Sequence, residues 1–188
     1  MIVGLSTSSP WTSVAAFEES GQILFSERRH APHAASGAII ELLQEMESRG
    51  LRLINASGFC ADVGPGSFTG VRVGVVMAKT FGYVFGKPCA GVSAFDLISE
   101  KETVCVPSKK NEVFIREPAH SPYLCPLPLS VLVMGYGSGS TETFPDAVRF
   151  SALEARLEFQ DAMMLVPKYL HEPSISVPKK PYGGVHVP

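Results

Sequence analysis

The sequence predicts an α/β fold, with a first lobe of element order βββαβαβα and a smaller second α/β lobe. Three observations carry that reading. Strand-like segments open the chain around a short polar turn. A strand at 59–63 runs through a glycine-rich turn straight into a helix, the recurrent α/β connection. The length of 188 residues, 45% of them hydrophobic, is enough for a real core but short for two full α/β domains.

Taken in order, residues 1–5, 13–17 and 23–28 read as strands, the second and third joined by a polar turn at 18–21 that ends in Gly21. Over 34–49 apolar residues recur at Ala35, Ile39, Leu42 and Met46, widened by Ala38, Ile40 and Leu43, and Gly50 follows as a stop. This spacing predicts a helix with a broad apolar arc. The strand at 59–63 leads through Gly64-Pro65-Gly66-Ser67-Phe68-Thr69-Gly70 into a second helix that reaches about Phe85. Residues 89–92 supply another strand, and Ser93 with Asp96 three positions on opens a third helix through Ser99.

The charged residues 100–102 mark a lobe boundary. Beyond it, 103–106 and 113–116 flank Ser108-Lys109-Lys110-Asn111 as a hairpin, and 129–134 form a third strand ended by Gly135 and Gly137. Residues 145–159 read as a helix with a proline near its start and Val148, Ala152, Leu153 and Leu157 on one side. The expected organisation is a first lobe at 1–100, a second at 101–172, and an irregular tail at 173–188 with four prolines. No internal repeat of useful period is present.

Sixteen Lys plus Arg against 18 Asp plus Glu give a formal charge of −2. That balance lacks the basic footprint of a free-standing nucleic-acid binder. No stretch approaches the roughly 18 apolar residues of a spanning helix, and the N-terminus has no signal pattern. A cytoplasmic protein without a membrane partner is expected. Cys60, Cys89, Cys105 and Cys125 are irregularly spaced and read as reduced, mostly buried small hydrophobes.

Glycines before a helix can free backbone N–H groups for an anion, but the loop at 64–70 departs from each phosphate motif. A Walker A loop needs Lys-Ser or Lys-Thr where Val71-Arg72 stand, and the glycine spacings of two and four are not those of a dinucleotide fingerprint. Gly-x-Ser-x-Gly is absent. A tight turn that re-aims the chain is the plain alternative.

The helix behind the loop carries more information. Between Val71 and Phe85 the clearly polar residues are Arg72, Lys79 and Thr80, so the helix must be buried on more than one side. Small residues recur at Gly70, Gly74, Ala78, Gly82 and Gly86, although interior glycine costs about 1 kcal/mol relative to alanine. Close backbone approach offsets that cost. The expectation is a partner chain seated on Gly74, Ala78 and Gly82 of this helix and on Ala35, Ile39, Leu42 and Met46 of the first; the rival reading is that the chain covers the helix itself.

Catalytic chemistry finds little support. Asp62 adjoins the loop as its lone carboxylate and suits a turn acceptor. His30-x-x-His33 has no third ligand nearby, and Ser67 and Thr69 lack a positioned base. No catalytic residue, cofactor or metal is expected.

The run from Gly64 to Val71-Arg72 resembles the signature GPGSFTG followed by x-Arg of the TsaB, or YeaZ, subunits of bacterial tRNA threonylcarbamoyladenosine biosynthesis. Ser6-Thr7-Ser8, His33, Gly91-Val92-Ser93, Asn111-Glu112-Val113-Phe114 and Pro167-Lys168-Tyr169-Leu170 support it. The resemblance is strong over 1–100 and patchy afterwards. It implies ribonuclease-H-like lobes of the actin, Hsp70 and sugar-kinase superfamily. It also implies a non-catalytic subunit that pairs through its first two helices with the catalytic paralogue TsaD, which modifies adenosine 37 of tRNA, with the ATPase TsaE completing the machinery. A homodimer in isolation and tRNA contact only through the complex follow. Ser6-Thr7 stands where the family commonly has Asp-Thr, and His171 replaces an arginine. The second half is shorter than usual, which implies an abbreviated second lobe. The alternative is a small actin-like ATPase or sugar-kinase-like enzyme, which needs a carboxylate on its first strand to hold magnesium; residues 1–12 contain none.

Overall fold

The apolar run Ile2–Ser6 (β1) is buried on both faces and forms the middle of the first sheet. The computed structural model describes residues 1–109 and 111–170. Trp11–Phe17 (β2) pairs antiparallel with β1, and Ile23–His30 (β3) pairs antiparallel with β2. Gly58–Asp62 (β4) and Cys89–Val92 (β5) add two parallel strands, giving the order β3-β2-β1-β4-β5.

Alternation along the strands divides the core between two faces. Val3, Leu5, Val14 and Ala16 pack under Ala35–Ser48 (α1) and Phe68–Phe85 (α2). Ile2, Ala15, Phe17 and Cys60 pack on the opposite face with Leu97 of Ala94–Ile98 (α3), Phe150 and Leu153. Ser93 caps α3 by accepting from Phe95 N, 3.3 Å. Edge strand β3 carries charges that fasten it to α1: Arg29 pairs with Glu41 and Glu45, and Arg49 with Glu27. The first-lobe elements thus match the sequence reading in kind and order.

The second sheet is built from Val104–Pro107 (β6), Glu112–Arg116 (β7), Tyr123–Pro126 (β8) and Met134–Gly135 (β9), in the order β8-β7-β6-β9. The β6–β7 hairpin is as expected, but the rest corrects the sequence reading. The strand predicted at 129–134 shrinks to Met134–Gly135, because Leu127, Leu129 and Val133 cover the outer face of the sheet over Cys105, Val113 and Ile115. Edge strand β8 was not predicted; it ends on Pro126 and follows Pro122, residues tolerated at an edge.

The helix predicted at 145–159 is a single turn, Arg149–Ala152 (α4), followed by a 3₁₀ turn at Glu154–Arg156. Ala147 N donates to Ser13 Oγ, 2.8 Å, and Phe150 and Leu153 enter the first core. The chain then extends so that Gln160 bridges Cys89 antiparallel to β5, which a continued helix would prevent. Ala162 and Leu165 join the core beneath α2. The unit expected at 101–172 is therefore divided: 104–135 build the second sheet, whereas 147–165 return to the first lobe. Arg116 of β7 ties the lobes by donating to the Ser99 and Glu100 carbonyls beside Asp96.

Cys60, Cys89 and Cys105 are buried thiols and Cys125 is half-buried, all free. Among the described residues no helix is long and apolar enough to cross a membrane. The tail predicted at 173–188 lies outside the described residues.

Candidate functional site

Parallel pairing of β1 with β4 sets Leu5 beside Ala61, so the two strands deliver Ser6 and Asp62 to the same edge of the sheet. Asp62 is fully buried. Its carboxylate accepts from Ser6 Oγ at 2.8 Å, Ser8 Oγ at 2.5 Å and Gly64 N at 2.9 Å. Burial raises its pKa from the usual carboxylate range to about 6, while the three hydrogen bonds pull the other way. The acceptor role expected of Asp62 is the one it has, and Ser6, one of the departures from the family pattern, supplies one of the donors.

Ser8 connects this carboxylate to the rest of the site. Its carbonyl accepts from Ser67 N at 2.7 Å and from the Tyr136 hydroxyl at 3.2 Å. The glycine loop is thus held by the β1–β2 turn on one side, and the second lobe is hydrogen-bonded to the same residue. Ser67 Oγ accepts from Gly70 N, 3.2 Å, and caps α2, so Phe68, Thr69 and Gly70 form the first turn of the helix, not the end of the loop. The N–H groups of Gly64, Ser67 and Gly70 all have acceptors within the chain. This favours the re-aiming turn over a phosphate cradle.

Gly70 and Gly74 are required by close approach. A Cβ on Gly70 would collide with the Thr7 carbonyl, and one on Gly74 would stand 2.5 Å from Thr7 Oγ1. Thr7 Oγ1 in turn donates to Gly70 O, 2.7 Å. A Cβ on Gly82 would meet Cys89 Sγ at 2.5 Å and Ala162 Cβ at 2.7 Å. The stripe Gly74, Ala78, Gly82 therefore faces the chain's own strands and returning segment. Ile39, Leu42 and Met46 are buried in the same core, and Ala35 is half-buried. Six of the residues expected at an interface, all but Ala35, are thus covered by the chain itself: the glycine cost is offset inside the chain, and the second cover of α2 is the 160–165 segment.

What α2 leaves outward is a different apolar row. Val76 is 57% exposed, Tyr83 74% and Val84 63%, with half-buried Val73 and Met77 beside them and exposed Ile40 on α1. Arg72 lies over the Phe68 ring at 5.2 Å, and Phe68 stacks on Tyr169 at 4.9 Å. The chain folds back across the loop there, with Lys168 N donating to Val63 O, 2.8 Å. Sequence reasoning quoted Ser8 within the Ser6-Thr7-Ser8 match but not its role, and missed Tyr136 and this stack. For the stack, the Pro167-Lys168-Tyr169-Leu170 match was the available signal.

Between the lobes opens a cleft of about 850 Å³. The glycine loop, the β1–β2 turn, His33, Phe114, Tyr136 and Phe144 form its walls, and Lys109 and Lys168 its cations. No Asp or Glu is among its lining residues. His30 packs on Trp11 at 5.1 Å between ring centres, so the two histidines serve different surroundings.

Residues 26–111 match the family model of TsaD, tRNA N6-adenosine threonylcarbamoyltransferase. The fold matches the solved structure of YeaZ from Pseudomonas aeruginosa with a TM-score of 0.73 and 19% identity, covering 90% of this chain and 99% of that one. The chain has the YeaZ fold and matches the TsaD family model over that segment. A second structure, of an uncharacterized protein with similarity to peptidase YEAZ from Pseudomonas aeruginosa, has a TM-score of 0.74 at 18% identity and the same coverage. At such identity the YeaZ likeness establishes the fold, which is the two-lobed ribonuclease-H-like arrangement expected. Among curated protein sequences nothing matches. The TsaD-family segment runs from β3 into the β6–β7 turn, so it contains the glycine loop and both helices.

Proposed function

We propose that this chain is a non-catalytic subunit that binds and activates a TsaD-type threonylcarbamoyltransferase for threonylcarbamoyladenosine formation at adenosine 37 of tRNA. The TsaD-family segment and the YeaZ fold support a role in that modification. The observation that carries the subunit role is the outward face of α2, where Val76, Tyr83 and Val84 form an exposed apolar row, with Ile40 of α1 exposed as well. Such a row on a small protein marks a protein-binding surface. The catalytic paralogue occupies it in the complex, a second copy occupies it in isolation, TsaE joins the assembled pair, and tRNA is met through the complex.

The rival ATPase reading needs an available carboxylate to organise magnesium. Asp62 is buried beneath three donors, and no carboxylate is among the residues that line the cleft. The test is reconstitution with purified catalytic subunit. Threonylcarbamoyl transfer should depend on this chain and survive its Asp62→Asn variant. ATP turnover by the isolated chain that disappears with Asp62→Asn would instead support the enzyme reading.

A further inference from the structure

A second hollow, of about 450 Å³, shares only Phe144 with the interlobe cleft. Its apolar lining is Leu97, Ile98 and Val148, and Trp11 walls it. Arg28 and Arg149 both line it. Arg28 lies over the Trp11 ring at 4.8 Å and is 3.6 Å from Asp146 Oδ2. Asp146 Oδ1 is already engaged by Val148 N, 3.1 Å. Arg149 is the unusual group: its Nε is shielded from solvent without a hydrogen-bond partner, and its guanidinium has no ion pair among the described residues.

A solvent-shielded N–H without an acceptor is costly, and the half-buried Arg149 guanidinium offers a planar carboxylate the paired N–H geometry of its fork. The neighbouring Glu142 and Asp146 disfavour a dianion such as phosphate more than a monoanion. The apolar lining adds a requirement for hydrocarbon. We infer that the hollow between Trp11, Arg28 and Arg149 binds a small organic monocarboxylate, the acid paired with Arg149 and its aliphatic body on Leu97, Ile98 and Val148. The same chemistry is offered by a free acid and by the terminal carboxylate of a peptide.

Trp11 is the only tryptophan of the chain, so its fluorescence reports on the hollow directly. At fixed ionic strength the full chain is titrated with 4-methylpentanoate, with N-acetyl-leucine and with N-acetyl-leucine amide. For ligands this small a Kd on the order of 1 mM is expected. Both acids should give a saturable change and the amide none. A response to N-acetyl-leucine at least about fivefold tighter than to the free acid assigns the site to chain ends, and the reverse assigns it to free acids. Arg149→Gln should weaken the acids about tenfold or more, and Arg149→Lys, which keeps the charge but loses the fork, should weaken them less. The inference fails if the acids produce no saturable change, if the amide responds equally, or if folded Arg149→Gln binds as the unaltered chain does. The acid-against-amide comparison needs no variant, so it decides the matter even if Arg149→Gln does not fold.

Discussion

Asp62 concentrates the local chemistry of the site, because one buried carboxylate orders two serines and the first amide of the glycine loop. Its folded pKa of about 6 lies above the ordinary value of 3.8, so folding favours the protonated acid. The associated stability is fully present below about pH 4 and is lost as pH rises through about 6, up to about 3 kcal/mol for a shift of this size. Urea unfolding of the unaltered chain and Asp62→Asn should therefore show the unaltered chain losing its relative advantage between pH 4 and pH 7. A constant difference across that range would show that Asp62 titrates normally. Ser8→Ala removes a donor from the buried carboxylate and should cost about 1–3 kcal/mol at pH 7. The chain pattern identified Asp62 as an acceptor. It could not identify Ser8 or Tyr136, because their meeting depends on the second lobe closing over a turn 128 positions earlier.

At the scale of elements, the two faces of α2 perform different tasks. Its small residues let the helix press on Thr7, Cys89 and Ala162, while Val76, Tyr83 and Val84 point outward. Gly74→Leu should destabilise the isolated chain by more than about 3 kcal/mol, since the buried Thr7 side chain stands where the new side chain must go. Val76→Glu and Tyr83→Glu should leave the unfolding midpoint within about 0.5 kcal/mol of the unaltered chain. Chemical denaturation followed by circular dichroism separates these outcomes. Gly74, Ala78 and Gly82 were readable as sites of close approach, but periodicity alone does not distinguish a partner helix from the chain's own β1–β2 turn. The same limit explains α4: Val148, Ala152, Leu153 and Leu157 suit a helix, yet pairing of Gln160 with Cys89 demands extended chain just beyond.

Across the whole molecule, the first lobe was legible because its strands and helices carry their periods locally, and its glycine loop is distinctive. The second lobe was less so. Prolines around β8 conceal an edge strand, and residues 127–133 take the place of a covering layer over Cys105, Val113 and Ile115. Tyr136 and Arg116 hold that lobe to the first. Tyr136→Phe removes the hydrogen bond to Ser8 and should cost about 1 kcal/mol, with faster amide exchange in β6 and β9 but not in β1. Uniform protection in both sheets would show that this bond does not join the lobes.

The central claim is that α2 presents its outward row to a TsaD-type subunit, and sedimentation velocity of the two purified chains tests it most directly. The unaltered chain should form a single heterocomplex, and the folded Val76→Glu, Tyr83→Glu double variant should sediment separately because its charges would be desolvated at the contact. A double variant that assembles as the unaltered chain does would contradict the account and locate the partner surface elsewhere.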